Sequence, residues 1–195
     1  LDRLKIFETE LGYIRNGKIR EFVEKALNKL PDYFFTMAAS TSGRFHPKFS
    51  LGEGGLVRHT QAAVRIAVDL TSLEMMKYTD IEKDIIIAAL ILHDGMKCGE
   101  NGTGTVLLHP TIMAAFIDEN SELSTMLESE ILDKIKGCIS SHMGEWAYDY
   151  KDKFKKNQLL PKPKNKLESI VHLSDYLSSR KYLSEFDFDL AVPRR

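Results

Sequence analysis

The chain of 195 residues contains six histidines, and their placement is the part of the sequence with chemical content. His93 and Asp94 are adjacent and follow residues 85–92, a run without one polar side chain. An aspartate behind such a run is carried into the interior, where its charge is costly unless it is paired or bound to a metal. Gly95, directly after the pair, lets the chain turn and leaves room above it. His59, His109, His142 and Asp175 come from four other parts of the chain. Imidazole and carboxylate ligands together suit a first-row transition ion such as Mn, Fe, Co, Ni or Zn. A site that both binds such an ion and does chemistry must keep coordination positions open for water and substrate. A plainer reading of His93-Asp94 is a hydrogen-bonded helix C-terminus, where a protonated imidazole complements the helix dipole.

The elements that must position these residues read as helices. Residues 18–30 place Ile19, Phe22, Val23, Ala26, Leu27 and Leu30 at three-and-four spacing, and Pro31 ends that helix. A loop rich in Ser, Gly and Pro covers 40–54. Helices then follow over 55–73, with His59 in the first turn, and over 80–93, with Asp80 as N-cap. The second half of the latter is apolar all round and marks the central buried helix. Pro110 suits the first turn of the next helix, which ends near Glu119. Residues 129–141 repeat Ile131, Ile135 and Ile139 every fourth position. The last clear helix covers 167–182, with Asp175 central. No alternating strand pattern is present, so the expected fold is all-α, a single bundle of about seven helices with the site in its centre. The expected division is N-terminal helices over 1–39 packing on the core, the main domain over 40–185, and a tail over 186–195.

Composition sets the outer limits. The chain is 43% hydrophobic with 10 Phe and 7 Tyr, enough for a real core. A net charge of −1 excludes a molecule that is, as a whole, an electrostatic magnet for nucleic acid. Cys98 and Cys138 are its two cysteines and form no CxxC pair, which suits a reducing compartment and argues against a disulfide scaffold or thiolate zinc site. No apolar run approaches the roughly 20 residues of a membrane span, and no basic-then-apolar leader opens the sequence. A cytoplasmic protein without a membrane partner is expected.

The order His59, His93-Asp94, Asp175 resembles the signature of the HD superfamily of metal-dependent phosphohydrolases. Gly54-Gly55-Leu56-Val57-Arg58-His59-Thr60 is similar to the "GGL-x-x-HT" helix start of HD-type 3′-to-5′ exoribonucleases. Residues 87–94 are similar to the family's small-and-aliphatic run into HD. Ile170-Val171-His172-Leu173-Ser174-Asp175-Tyr176 resembles the Asp-bearing helix of HD-type diadenosine tetraphosphate hydrolases. The resemblance spans about 40–182. It implies two divalent transition metal ions: one on His59, His93, Asp94 and Asp175, the other on His109, His142 and a bridging Asp94. Several family members read "SHHG" where this chain has Ser141-His142-Met143-Gly144, so a second histidine is missing. It also admits a homodimer.

The implied activity is hydrolysis of a phosphoester or phosphoanhydride of a nucleotide, with Asp94 and Lys97 as catalytic residues. Lys97 matches the lysine of HD-x-x-K and would neutralise a phosphate oxygen; read plainly, it is a solvated loop lysine. Arg180, more than a turn beyond Asp175 on the same helix, would hold a distal phosphate. His46 lies in Gly43-Arg44-Phe45-His46-Pro47, a loop that resembles the approach to the first ligand helix in exonuclease-like members, and would line the substrate pocket. His109 beside Pro110 also reads as a helix cap, His172 as an ordinary half-buried histidine, and Trp146 as core. Residues 151–166 carry seven Lys. They are either a solvated face or a guide for a polyanion, with Phe154 as a stacking ring. The partner expected is a nucleotide or short nucleic-acid substrate. Rival readings are a 3′-5′ exonuclease on single strands, a non-catalytic nucleotide sensor and a plain helical interaction protein. The sensor would be marked by degraded ligand positions, and none is degraded.

Overall fold

A computed structural model describes residues 2–40, 43, 46–100, 102, 104–149, 151, 152 and 154–184. The expected tail, 186–195, lies outside the described residues, as do Arg44 and Phe45 of the His46 loop. The helices in chain order are α1 (Arg3–Ile6), α2 (Glu8–Gly12), α3 (Gly17–Lys29), α4 (Tyr33–Thr36), α5 (Gly55–Ser72), α6 (Asp80–Leu92), α7 (His109–Glu119), α8 (Ser129–Ser141), α9 (Lys166–Ser178) and α10 (Lys181–Ser184). The long ones coincide with the periodic segments. The count exceeds seven because α1, α2, α4 and α10 have only four or five residues, too short to show a helical period. Among the described residues there is no strand, only an isolated antiparallel bridge between Tyr148 and Gln158. None of the described helices is long and apolar enough to cross a membrane.

The centre is α6. Every residue from 84 to 92 is buried, and the helix packs against α3, α5, α8 and α9. Its start is set by Thr79 rather than Asp80. The Thr79 hydroxyl accepts from Glu82 N and the Glu82 carboxylate accepts from Thr79 N, a reciprocal pair that Asp80 cannot make from one position further on. Buried Asp84 accepts from Arg15 N at 3.0 Å and Asn16 N at 2.8 Å, tying the chain just ahead of α3 to α6. Phe7, Leu11 and Phe22 lie in the same hydrophobic core as Leu56, Ile86, Leu90 and Ile139. One core therefore runs through the N-terminal helices and the rest.

Two glycines fix the entry to α5. Gly54 has φ +68°, a left-handed conformation that suits glycine. A side chain on Gly55 would place its Cβ 2.2 Å from the Ser50 carbonyl oxygen. Arg58 then clamps the loop by donating to the carbonyls of Phe49, Leu51 and Glu53. Helix α9 stops earlier than its periodicity predicts, at Ser178 instead of 182. Its end tightens: Arg180 N donates to Leu177 O, three residues back rather than four, while Ser178 Oγ donates to Asp175 O and Ser179 Oγ to Tyr176 O.

Candidate metal centre

Five helices deliver one ligand word each. His59 lies one turn inside α5, just beyond the expected first turn; His93 caps the end of α6; Asp94 follows it. His109 is the first residue of α7, followed by Pro110, and His142 caps the end of α8. Asp175 sits in the last turn of α9 rather than its middle. All of them are buried except Asp175, whose side chain keeps 16% of its surface.

Their polar atoms converge. Asp175 Oδ1 is 2.9 Å from His59 Nε2 and 3.5 Å from His93 Nε2. Asp94 turns one oxygen, Oδ1, to His109 Nε2 at 2.9 Å and His142 Nε2 at 3.8 Å. Its other oxygen, Oδ2, faces His93 Nε2 at 3.6 Å, His59 Nε2 at 3.8 Å and Lys97 Nζ at 2.5 Å. Two overlapping groups have ion-holding geometry: His59, His93 and Asp175, and His93, Asp94 and His142.

The backs of the imidazoles explain why Nε2 points inward. His93 Nδ1 donates to Leu90 O, His109 Nδ1 to Val106 O and His142 Nδ1 to Ile139 O, at 2.6–2.7 Å. In each case the acceptor lies three residues upstream. At the ends of α6 and α8 it is one of the last carbonyls, which lack an intrahelical partner. His59 Nδ1 instead meets Ser178 Oγ at 3.0 Å; that hydroxyl donates to Asp175 O and so accepts from the imidazole. With Nδ1 protonated, a neutral ring presents a lone pair at Nε2. Lone pairs then face carboxylate oxygens, and His109 and His142 face each other Nε2 to Nε2 at 3.2 Å. Acceptors aimed at acceptors repel unless a cation, a proton or a metal ion, lies between them. His93 Nε2 is moreover buried with no hydrogen-bond partner.

Electrostatics follow the same pattern. Burial opposes the charge of Asp94, but Lys97, His93 and His109 overcome it and hold the carboxyl well below the usual range. Asp175 is held down in the same way, burial being outweighed by His59 and His93. Burial and the neighbouring His93 and His109 push His142 down to about 3, leaving it neutral. His93 moves the other way: burial is outweighed by the two carboxylates and its pKa rises. Anionic carboxylates and a neutral imidazole are the donor set a divalent transition ion takes. The residues fit such an ion.

The other expected site residues divide. Lys97 is buried against Asp94 and is not a solvated lysine. His46 stands with its ring centroid 5.7 Å from that of His59, and burial with neighbouring His59 and Lys97 pushes it down to about 4. Arg180 is not on the Asp175 helix, which has ended; its guanidinium lies 4.4 Å from the Tyr176 ring centroid and 5.4 Å from that of Trp146. Trp146 is not core: it is 41% exposed. Gly95 opens no space either, since a Cβ there would meet Leu30 and Met113 within 3 Å. The sequence reading missed Ser178 as the acceptor for His59. His172 is half-buried, as its sequence position suggests, and its Nδ1 donates to His142 O at 2.7 Å. Ser178 stands one turn after Asp175, a spacing that offers the only hint of it in the sequence.

Comparison with curated proteins and with solved structures finds no match to the chain. The HD domain family model matches residues 56–180, a span that contains His59, His93, Asp94, His109, His142 and Asp175. With most of its length matched and these side chains converging inside that span, the chain belongs to the HD domain family of metal-dependent phosphohydrolases.

Proposed function

We propose that the protein holds two divalent transition ions and hydrolyses a phosphoester or phosphoanhydride of a nucleotide. The observation that carries this is Asp94. Its two oxygens face separate sets of inward-pointing Nε2 atoms, His109 with His142 on one side and His59 with His93 on the other. That arrangement supports a carboxylate shared between two ions. His59, His93, Asp94 and Asp175 would hold one, and His109, His142 and Asp94 the other. Bound ions of this kind supply a nucleophile at neutral pH and offset the negative charge of a phosphate.

The chain's own groups do the positioning. Carbonyls of residues 90, 106 and 139 and the Ser178 hydroxyl lock each imidazole in orientation and tautomer. Lys97 neutralises the Oδ2 side of Asp94 and places a cation where a non-bridging phosphate oxygen would arrive. His46, neutral and beside His59, lines the approach. A small nucleotide is the first reading of the substrate. A single-stranded 3′ end is the second, favoured by the loop after Trp146. There Lys162 and Lys155 lie over the Tyr148 ring at 4.7 and 5.9 Å and Phe154 is 81% exposed.

The test combines metal analysis by mass spectrometry with a panel of mononucleotides, cyclic and linear dinucleotides and short single strands in Mn²⁺, resolved by chromatography. The expected result is about two equivalents of metal and selective cleavage of one class. Asp94→Ala loses both. Less than a tenth of an equivalent after reconstitution overturns the reading.

A further inference from the structure

Beside the ligand cluster lies an aromatic surface that phosphate hydrolysis by itself does not require. Trp146 stacks on Tyr176 with ring centroids 5.3 Å apart and planes inclined by 16°. Tyr176 directly follows Asp175, and Trp146 comes four residues after His142. The surface is therefore attached to the ligand set at two points. Its placement is set by packing. Gly144 turns the chain at φ +53°, and a Cβ there would lie 2.2 Å from the His172 ring, so the turn sits tight against that ring. His172 in turn donates to His142 O and meets Trp146 edge-on at 6.1 Å. Despite this support, 41% of Trp146 remains open to solvent.

A supported, partly open indole is suited to stack a flat ring, because every base presents a π-face and stacking is tolerant of sequence. The charge beside it selects among flat or apolar ligands. The Arg180 guanidinium already lies over both rings, which disfavours a second cationic guest such as a quaternary ammonium. We infer that Trp146 stacks the base of a nucleobase-phosphate unit whose phosphate lies at the His–Asp cluster, with Arg180 providing the adjacent positive charge. This rests on the phosphohydrolase reading above and deepens it by assigning the base of that substrate, in a free nucleotide or at the 3′ end of a strand, to Trp146.

Trp146 is the only tryptophan in the chain, so its emission reports on the surface directly. The full chain, with and without Mn²⁺, is titrated with the four nucleoside monophosphates, ribose 5-phosphate and a short oligoadenylate, with calorimetry in parallel. The expected result is saturable quenching by at least one monophosphate or by the strand, and none by ribose 5-phosphate. Trp146→Ala weakens that nucleotide about tenfold more than ribose 5-phosphate, equivalent to about 1.4 kcal/mol, and Trp146→Phe recovers most of the loss. A strand bound more than about tenfold tighter than its monophosphate assigns the ligand to a 3′ end, and equal affinity assigns it to a free nucleotide. Nucleotide binding seen by calorimetry with unchanged emission overturns the inference. So does the absence of any saturable nucleotide or strand binding. Quenching without hydrolysis of any phosphate sinks the phosphohydrolase reading and leaves the stacking surface standing. Hydrolysis without quenching does the reverse.

Discussion

Four imidazoles in the cluster share one arrangement: Nδ1 donates to the protein and Nε2 is left for an ion. For His93, His109 and His142 the acceptor is a backbone carbonyl, which mutation cannot remove. His59 depends on the Ser178 hydroxyl, which mutation can remove. Ser178→Ala is therefore expected to weaken metal binding by about 10–100-fold while the fold persists, measured by competition with a chelator. Protons compete with metal at the same atoms. His93 is pushed above its ordinary pKa in the metal-free protein, so near and below neutrality an ion must displace a proton from it. His142, down at about 3, carries no such proton over that range. Apparent metal affinity should fall as pH drops below neutrality, with a proton released from His93 on binding. Proton release measured by calorimetry in buffers of different ionisation enthalpy checks this, and flat affinity across the range would count against His93 as a ligand.

At the level of elements, the ends of helices do the positioning. His93 and His142 cap α6 and α8, His109 opens α7, and Asp175 lies in the closing turn of α9. Only His59 is inside a helix, and its register depends on the two glycines that start α5. Gly55→Ala forces a methyl to within 2.2 Å of Ser50 O, a backbone atom that also accepts from Ala39 N. Neither side can give cheaply, so a loss of about 1–3 kcal/mol in stability is expected from denaturant unfolding, with a lowered metal affinity as His59 shifts. The long helices were legible because each repeats buried residues at helical period. Their ends were less so. Thr79 displaced Asp80 as cap because only Thr79 is three residues ahead of Glu82, and α9 gives way after Ser178 to a tighter turn in which Arg180 N donates to Leu177 O.

Across the whole molecule, the candidate metal centre lies where five helices meet, so an ion there would tie together parts of the chain far apart in sequence. Saturating Mn²⁺ or Zn²⁺ at about 100 times the dissociation constant should add about 2.7 kcal/mol for each ion held. For a domain of this size that raises the melting temperature by about 5–10 °C, and EDTA should reverse it. The absence of any shift with every first-row divalent ion would argue that the cluster holds none. The sequence by itself determined the all-helical fold, the buried central helix and the identity of the ligand candidates, because helical period and the cost of burying Asp94 are local properties of the chain. Which oxygen of Asp94 faces which imidazole, the service of Ser178 to His59, and the exposure of Trp146 against Tyr176 and Arg180 were decided only by tertiary structure. Those relations join residues up to 119 positions apart, and no local pattern encodes the angle at which two helices bring their side chains together.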